Sequence, residues 1–166
     1  MGRFTVPRST SVFSMPERFA LGFIGKDGSE QRPVMIHRAI LGSLERFIGM
    51  LIEHTAGAFP LWLAPRQVRL VTVTDRQNDY AAAAEKQLRS RGIRARADLR
   101  NEKLGFKIRE AQQAKVPVIA VIGDREVEDG TLAPRLRDRT QLDAMKVGAF
   151  ADWILEHSNP GDGGVP

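Results

Sequence analysis

The sequence contains no cysteine. That excludes disulfides, thiolate zinc sites and cysteine nucleophiles together, and it fits a cytoplasmic address. No apolar run approaches 18 residues, so no segment reads as a membrane-spanning helix. Arg3 and Arg8 have no apolar stretch behind them, so the N-terminus does not read as a secretory signal. Internal repeats are lacking too. The one low-complexity tract, Asn159-Pro160-Gly161-Asp162-Gly163-Gly164, belongs to a tail over 159–166 expected to be disordered.

What is present is the composition of a soluble globular chain: 166 residues, 42% hydrophobic and 27% charged. That is enough for one domain, or for a domain and a fragment. The net charge is +5, and its distribution says more than its size. Residues 86–109 carry nine Lys or Arg (Lys86, Arg89, Arg91, Arg94, Arg96, Arg100, Lys103, Lys107 and Arg109) against Asp98 and Glu102. The segment is either a solvated helix face and strand edge or a patch that binds phosphates.

Two textures divide the chain. Over residues 1–64, Phe19 to Ile24 and Val34 to His37 read as strands joined by a turn at Lys26-Asp27-Gly28. Ile40, Leu41, Leu44, Phe47, Ile48, Leu51 and Ile52 then follow helical spacing and form one apolar face. Two strands and a helix are too little to close a core, so this part reads as a fragment. Residues 58–65 form a linker punctuated by Pro60 and Pro65, apolar enough to lie against something.

From Gln67 the pattern changes. Val68 to Val73 alternates as a strand, and Asp75 is placed to cap a helix from Asn78 to Arg91 that Gly92 ends. A strand over 93–99, a helix over 102–114 and the almost wholly apolar strand 116–122 follow. A strand over 131–136 and a helix over 146–157 complete the series. The alternation predicts a small α/β domain with a mostly parallel sheet over 65–158.

Longer strings carry a resemblance. Residues 33–49, Pro-Val-Met-Ile-His-Arg-Ala-Ile-Leu-Gly-Ser-Leu-Glu-Arg-Phe-Ile-Gly, look like the third signature motif of class II aminoacyl-tRNA synthetases. In detail they resemble threonyl-tRNA synthetases, as does Met15-Pro16-Glu17-Arg18-Phe19. Residues 59–65 resemble the junction into that family's anticodon-binding domain. Residues 97–110, Ala-Asp-Leu-Arg-Asn-Glu-Lys-Leu-Gly-Phe-Lys-Ile-Arg-Glu, resemble part of the same domain. The likeness runs from about Met15 to His157.

The resemblance implies that residues 1–64 are a remnant of the catalytic domain and that 65–158 are the anticodon-binding domain. It places Arg46 facing ATP, where a guanidinium stacks on a base and neutralises phosphate. It makes His37 one of three ligands of a zinc ion, but the family's partner cysteine and histidine have no counterpart here, so the position is expected to be empty of metal. The family's Gln-x-Asp-Phe segment is replaced by Thr10-Ser11-Val12-Phe13, and the second signature motif is not found. The full family uses ATP, magnesium and zinc; this chain alone is expected to need no cofactor and not to aminoacylate.

The anticodon readers of the family fall on Asn101, Glu126 and Arg135, residue types that match donor and acceptor patterns on base edges. Asn101 serves equally as a cap for the helix behind it. Arg94, Arg96, Arg100, Lys103, Lys107 and Arg109 would hold the RNA backbone. Among Asp124, Glu126, Glu128 and Asp129, one carboxylate would accept from a base and the others belong to a solvated hairpin. The expected partner is threonine tRNA, met through its anticodon. The alternatives are a trans-acting piece of a split ligase, completed by a missing catalytic half, and a regulatory module that kept the fold. Residues 1–60 are expected to expose an apolar patch that supports self-association or a partner, with no membrane involved.

Overall fold

The computed structural model describes residues 8–39 and 41–160, so the expected disordered tail beyond Pro160 and Ile40 of the apolar helix face lie outside the described residues. The chain divides into two compact units, residues 1–51 and 52–166.

The first unit has more strands than the sequence suggested. β1 (Arg8–Val12) is followed by a one-turn helix α1 (Ser14–Arg18), then β2 (Phe23–Ile24), β3 (Glu30–Gln31) and β4 (Met35–Ala39). The turn at Asp27-Gly28 is there, with Gly28 at φ +76° and the Asp27 carboxylate accepting from the Ser29 amide and hydroxyl. It joins β2 to the short β3, however, and not to the strand around His37. β4 pairs antiparallel with β1, Val12 opposite Met35. The sequence hid β1 because its polar side chains, Arg8, Ser9, Thr10 and Ser11, show no apolar alternation. α2 (Leu44–His54) starts at Ser43, whose hydroxyl accepts the Arg46 amide at 3.3 Å, and it buries no residue.

The second unit is the α/β domain. β5 (Val68–Thr72), α3 (Asn78–Ser90), β6 (Ala95–Asp98), α4 (Leu104–Gln113), β7 (Val118–Ile122), α5 (Asp124–Asp129), β8 (Thr131–Leu136), β9 (Met145–Lys146) and α6 (Val147–Glu156) follow in order. The sheet order is β6-β5-β7-β8-β9. β6, β5 and β7 are parallel, whereas β8 and β9 are antiparallel additions, so the sheet is mixed where a mostly parallel one was expected. The reason is chain length. Residues 123–130 separate β7 from β8, fewer than the dozen or so residues a parallel crossover requires.

Two apolar layers sandwich the sheet. On one face Val68, Leu70, Val118, Ala120, Ile122 and Leu132 pack with Ala81, Ala84 and Leu88 of α3 and Phe150, Ala151 and Ile154 of α6. On the other, Val71, Val116 and Ile119 meet Ala111 of α4, with Leu104, Ile108 and Val121 packed around them. Each large aliphatic or aromatic side chain fully buried here contributes on the order of 1.5–3 kcal/mol. The linker is part of this core: Leu61 is wholly buried. Buried Gln67 donates to the Leu61 carbonyl at 3.0 Å and accepts the Arg94 amide at 3.0 Å.

α3 begins at Asn78, where the sequence placed it, but Asp75 does not cap it. A 3-10 turn over Asp75–Gln77 precedes it, so Asp75 lies inside the turn, while Gln77 Oε1 accepts the Thr74 amide at 2.6 Å. Gly92, at φ +81°, ends the helix as anticipated.

Candidate nucleic-acid interface

The carboxyl ends of β5, β6 and β7 open on one edge of the sheet, the edge at which ligands meet parallel α/β sheets. Buried polar side chains stitch this edge together. Thr72, at the end of β5, donates to Asn78 Oδ1 at 3.1 Å, and Asn78 Nδ2 donates to the Leu99 carbonyl at 3.3 Å. Gln77 Nε2 reaches Asp124 Oδ1 at 2.5 Å. Lys107 crosses beneath them, buried to 2% exposure, its ammonium donating to the Thr72 carbonyl (3.2 Å), the Thr72 hydroxyl (3.1 Å) and the Asp98 carbonyl (3.3 Å). The expectation that Lys107 grips RNA phosphate is therefore corrected: all three donors of the ammonium are spent inside the protein.

Asp98 fixes the loop that leaves β6. Its side chain is 1% exposed and accepts from Arg69 at 2.6 Å, from Arg100 Nε at 2.8 Å and from Arg100 Nη2 at 2.7 Å. It also accepts the Arg100 amide at 3.3 Å. The Arg100 guanidinium, helped by Arg69 and opposed by burial, holds the Asp98 carboxyl far below the usual carboxylate range. Asp98 and Glu110 in turn raise Arg100 above the ordinary arginine value. Arg69 pays a residual cost, since its Nε is buried without a hydrogen-bond partner.

Asn101 stands on this braced loop, exposed, and its side chain makes no hydrogen bond among the described residues. The capping alternative is not what the structure has: α4 begins at Leu104 with Lys103 as N-cap and no side-chain cap bond. Glu126 follows β7 on α5. The acidic cluster is thus a short helix rather than the hairpin expected. Asp124 and Glu126 fall in its first turn, where carboxylates interact favourably with the positive end of the helix dipole. Glu126 Oε2 accepts the Gly123 amide at 2.8 Å, and Gly130, left-handed at φ +65°, stops the helix.

Arg135 sits differently. It is half-buried in β8, opposite Ile119, and so on the face of the sheet that carries α4. Ile119 lies three residues before the end of β7, about 10 Å at roughly 3.3 Å per residue. The structure therefore brings Asn101 and Glu126 to the same edge, on either side of β5, and sets Arg135 back along the sheet.

The basic segment 86–109 resolves into two populations. Arg94 clasps the linker, donating to the carbonyls of Ala64 (2.8 Å) and Trp62 (2.7 Å), and Arg100 is held by Asp98 and Glu110. Arg91 pairs with Asp152 at 2.6 Å. Arg96, Lys103 and Arg109 are exposed, and their side chains have no hydrogen bond or ion pair among the described residues. The signal for Lys107's burial is its place at helical spacing beside Leu104, Ile108 and Ala111, which counting it with the basic segment passes over. Arg69 carried a weaker sign, as an interior residue of an apolar strand.

His37 and Arg46 are both exposed in the first unit. Among the described residues no group of three His, Cys, Asp or Glu is placed to hold a metal ion, so the donors around His37 do not fit zinc. Arg46 donates no side-chain hydrogen bond among the described residues. No helix among them is long and apolar enough to cross a membrane.

Comparison with known proteins agrees with this architecture. The model of the family described as an anticodon binding domain matches residues 67–157. Threonine–tRNA ligase of Syntrophotalea carbinolica is 57% identical over 144 residues, 87% of this chain and 23% of the relative. That of Citrifermentans bemidjiense is 58% identical over 142 residues, 86% of this chain and 22% of the relative. The chain thus spans less than a quarter of the length of these relatives. Among solved structures, the RNA binding domain of threonyl-tRNA synthetase from Cryptosporidium parvum superposes with a TM-score of 0.80 at 32% identity. That match covers 97% of this chain and 40% of the other. Prolyl-tRNA synthetase of the same organism, at 19% identity and a TM-score of 0.65, shares the fold. The chain belongs to the anticodon-binding domain family, in the form carried by threonine–tRNA ligases.

Proposed function

We propose that this chain binds tRNA through the anticodon, with a preference for threonine tRNA. The observation that carries the reading is the braced edge at the ends of β5, β6 and β7. It presents Asn101 on a loop and Glu126 on the first turn of α5, both held by buried ion pairs and hydrogen bonds. Single-stranded loop bases are the usual targets of sequence-specific RNA recognition, and they splay onto such surfaces. Asn101 and the second carboxylate oxygen of Glu126 read base edges, and Arg135 grips a guanine or a phosphate. Lys103 and Arg109, which are exposed and unpaired among the described residues, hold the backbone beside this edge. Leu99, Phe106 and Val127, each more than a third exposed, give the same edge apolar surface against which bases stack. A tRNA partner also favours the cytoplasm as the place of work.

The test is a salt-titrated binding assay with threonine tRNA and with a copy carrying one altered anticodon base. A loss of about tenfold or more with the altered base, about 1.4 kcal/mol, supports base reading. Equal affinities abolished alike by salt would leave only charge attraction.

A second reading concerns the first unit. Phe13, Phe19, Ile24, Ile36 and Leu44 are each more than 60% exposed, and α2 buries nothing. Such surface favours a role in which residues 1–60 dock onto a ligase catalytic half or a second copy. An ATP-facing duty for Arg46 belongs to that assembly.

A further inference from the structure

At the opposite end of the strands, the molecule has a second basic feature that the anticodon reading leaves unused. Arg66 precedes β5, while Gly92, Ile93 and Arg94 connect α3 to β6, the outermost strand of the sheet. Between them lies a cleft of about 410 Å³ lined by Arg66, Arg89, Arg94 and Arg96 and by a single carboxylate, Glu85. That carboxylate is already engaged, by Arg89 at 3.4 Å and by the Ala97 amide at 2.9 Å. Arg94 is turned onto the linker carbonyls. Arg66 and Arg96 remain, with no hydrogen bond or ion pair from their side chains among the described residues.

Burial first, then the neighbouring charges of Arg69 and Arg96, push the Arg66 guanidinium below its ordinary value, and the acids nearby only partly oppose this. An adjoining cleft of about 110 Å³ is lined by Arg66, Arg69 and Glu110. Its acid is committed to Arg100. Arg66 and Arg96 thus sit beside other guanidiniums without an acid of their own, which costs stability unless an anion arrives from outside. Guanidiniums spread along an open cleft suit repeated phosphates better than one small ion, because each forks onto two oxygens.

We infer that the cleft between α3 and β6, through Arg66, Arg89 and Arg96, is a second RNA contact that takes sugar-phosphate backbone away from the bases read at the carboxyl edge. The inference rests on the RNA-binding reading but not on anticodon specificity. β5, five residues long, separates the two sites by about 16 Å at roughly 3.3 Å per residue. A single RNA meets both only by running along the domain, so the cleft holds register-setting phosphates and carries no sequence information.

The experiment is filter binding of the full chain to threonine tRNA, and to the copy with an altered anticodon base, over 50–200 mM salt. The Arg66→Gln/Arg96→Gln protein is compared with wild type and with a charge-matched Lys26→Gln/Arg38→Gln control. Two lost phosphate contacts flatten the logarithmic salt slope by about 1.4–1.8, so wild type loses about tenfold more affinity than the variant across that range. Both RNAs should weaken alike. Because Arg66 is partly buried, Arg89→Gln/Arg96→Gln, which alters exposed side chains, repeats the measurement should the first variant unfold. A slope matching the control in that second variant overturns the inference. Discrimination that persists with an unchanged slope would leave anticodon reading standing and remove the cleft. A lowered slope without discrimination in wild type would do the reverse, and absence of RNA binding would end both.

Discussion

Asp98 and Lys107 show how much of this site is support rather than contact. Asp98→Asn removes a buried charge that faces Arg69 and Arg100, and breaking such a pair costs on the order of 3 kcal/mol. The pH dependence has a definite sign. The folded carboxyl is depressed, so its stabilisation is complete above the unfolded value of about 3.9 and fades as pH falls below it. Urea denaturation of both proteins should show the gap constant from pH 7 to 5, then narrowing by about 1.4 kcal/mol per pH unit below about 4. A gap that widens on acidification would contradict this assignment. Lys107→Met keeps the stem and removes the ammonium, leaving the Thr72 and Asp98 carbonyls underserved in the interior. A loss of about 1–3 kcal/mol is expected from denaturant midpoints. RNA affinity at fixed folded fraction should hardly change, unlike that of Lys103→Gln, whose exposed ammonium is proposed to meet phosphate.

At the scale of elements, α5 is the instructive case. Asp124 and Glu126 in a first turn and Gly130 one residue past the end are a helix signature, yet four acids in six residues read more simply as a solvated loop. The helix is too short for periodicity to show. Gly130→Ala tests the stop: at φ +65° a Cβ meets no neighbour, so the cost is backbone strain alone, about 1 kcal/mol. Thermal unfolding reads it as a modest fall in midpoint. Longer elements were legible. α3, α4, β7 and α6 appear within a residue or two of where apolar spacing put them, because each buries one defined face. Strand direction was not legible in periodicity and had to come from connection length. In the first unit, β1 carries polar side chains and declares itself only by pairing with β4. The candidate readers were identified through resemblance. The bracing beneath them, Thr72, Gln77 and Asn78, was not, since buried polar residues look like surface residues in a sequence.

For the whole molecule, the contrast between the two units has a testable consequence. The second unit buries most of its large apolar side chains around one sheet, while the first leaves Phe13, Phe19, Phe23, Ile24 and Ile36 between 48% and 71% exposed. Sedimentation of the full chain should show association that rises with concentration. Leu44→Glu with Ile48→Glu, two exposed positions on α2, should reduce it. A monodisperse monomer at all concentrations, with residues 1–60 protected from hydrogen exchange, would exclude an interaction surface there.

Glu85 limits the form such association takes. β6 is the last strand of the sheet, and its outward amide at Ala97 would otherwise offer a hydrogen-bond donor to any extended peptide. The Glu85 carboxylate occupies that donor from α3 and leaves a charged side chain along the rim. A foreign strand would have to displace it, which is how natural sheets resist growing into one another. Copies of this chain that meet should therefore not add a strand alongside β6. Strand addition at β6 should stay slow even where the first unit drives molecules together, and Glu85→Ala should speed it.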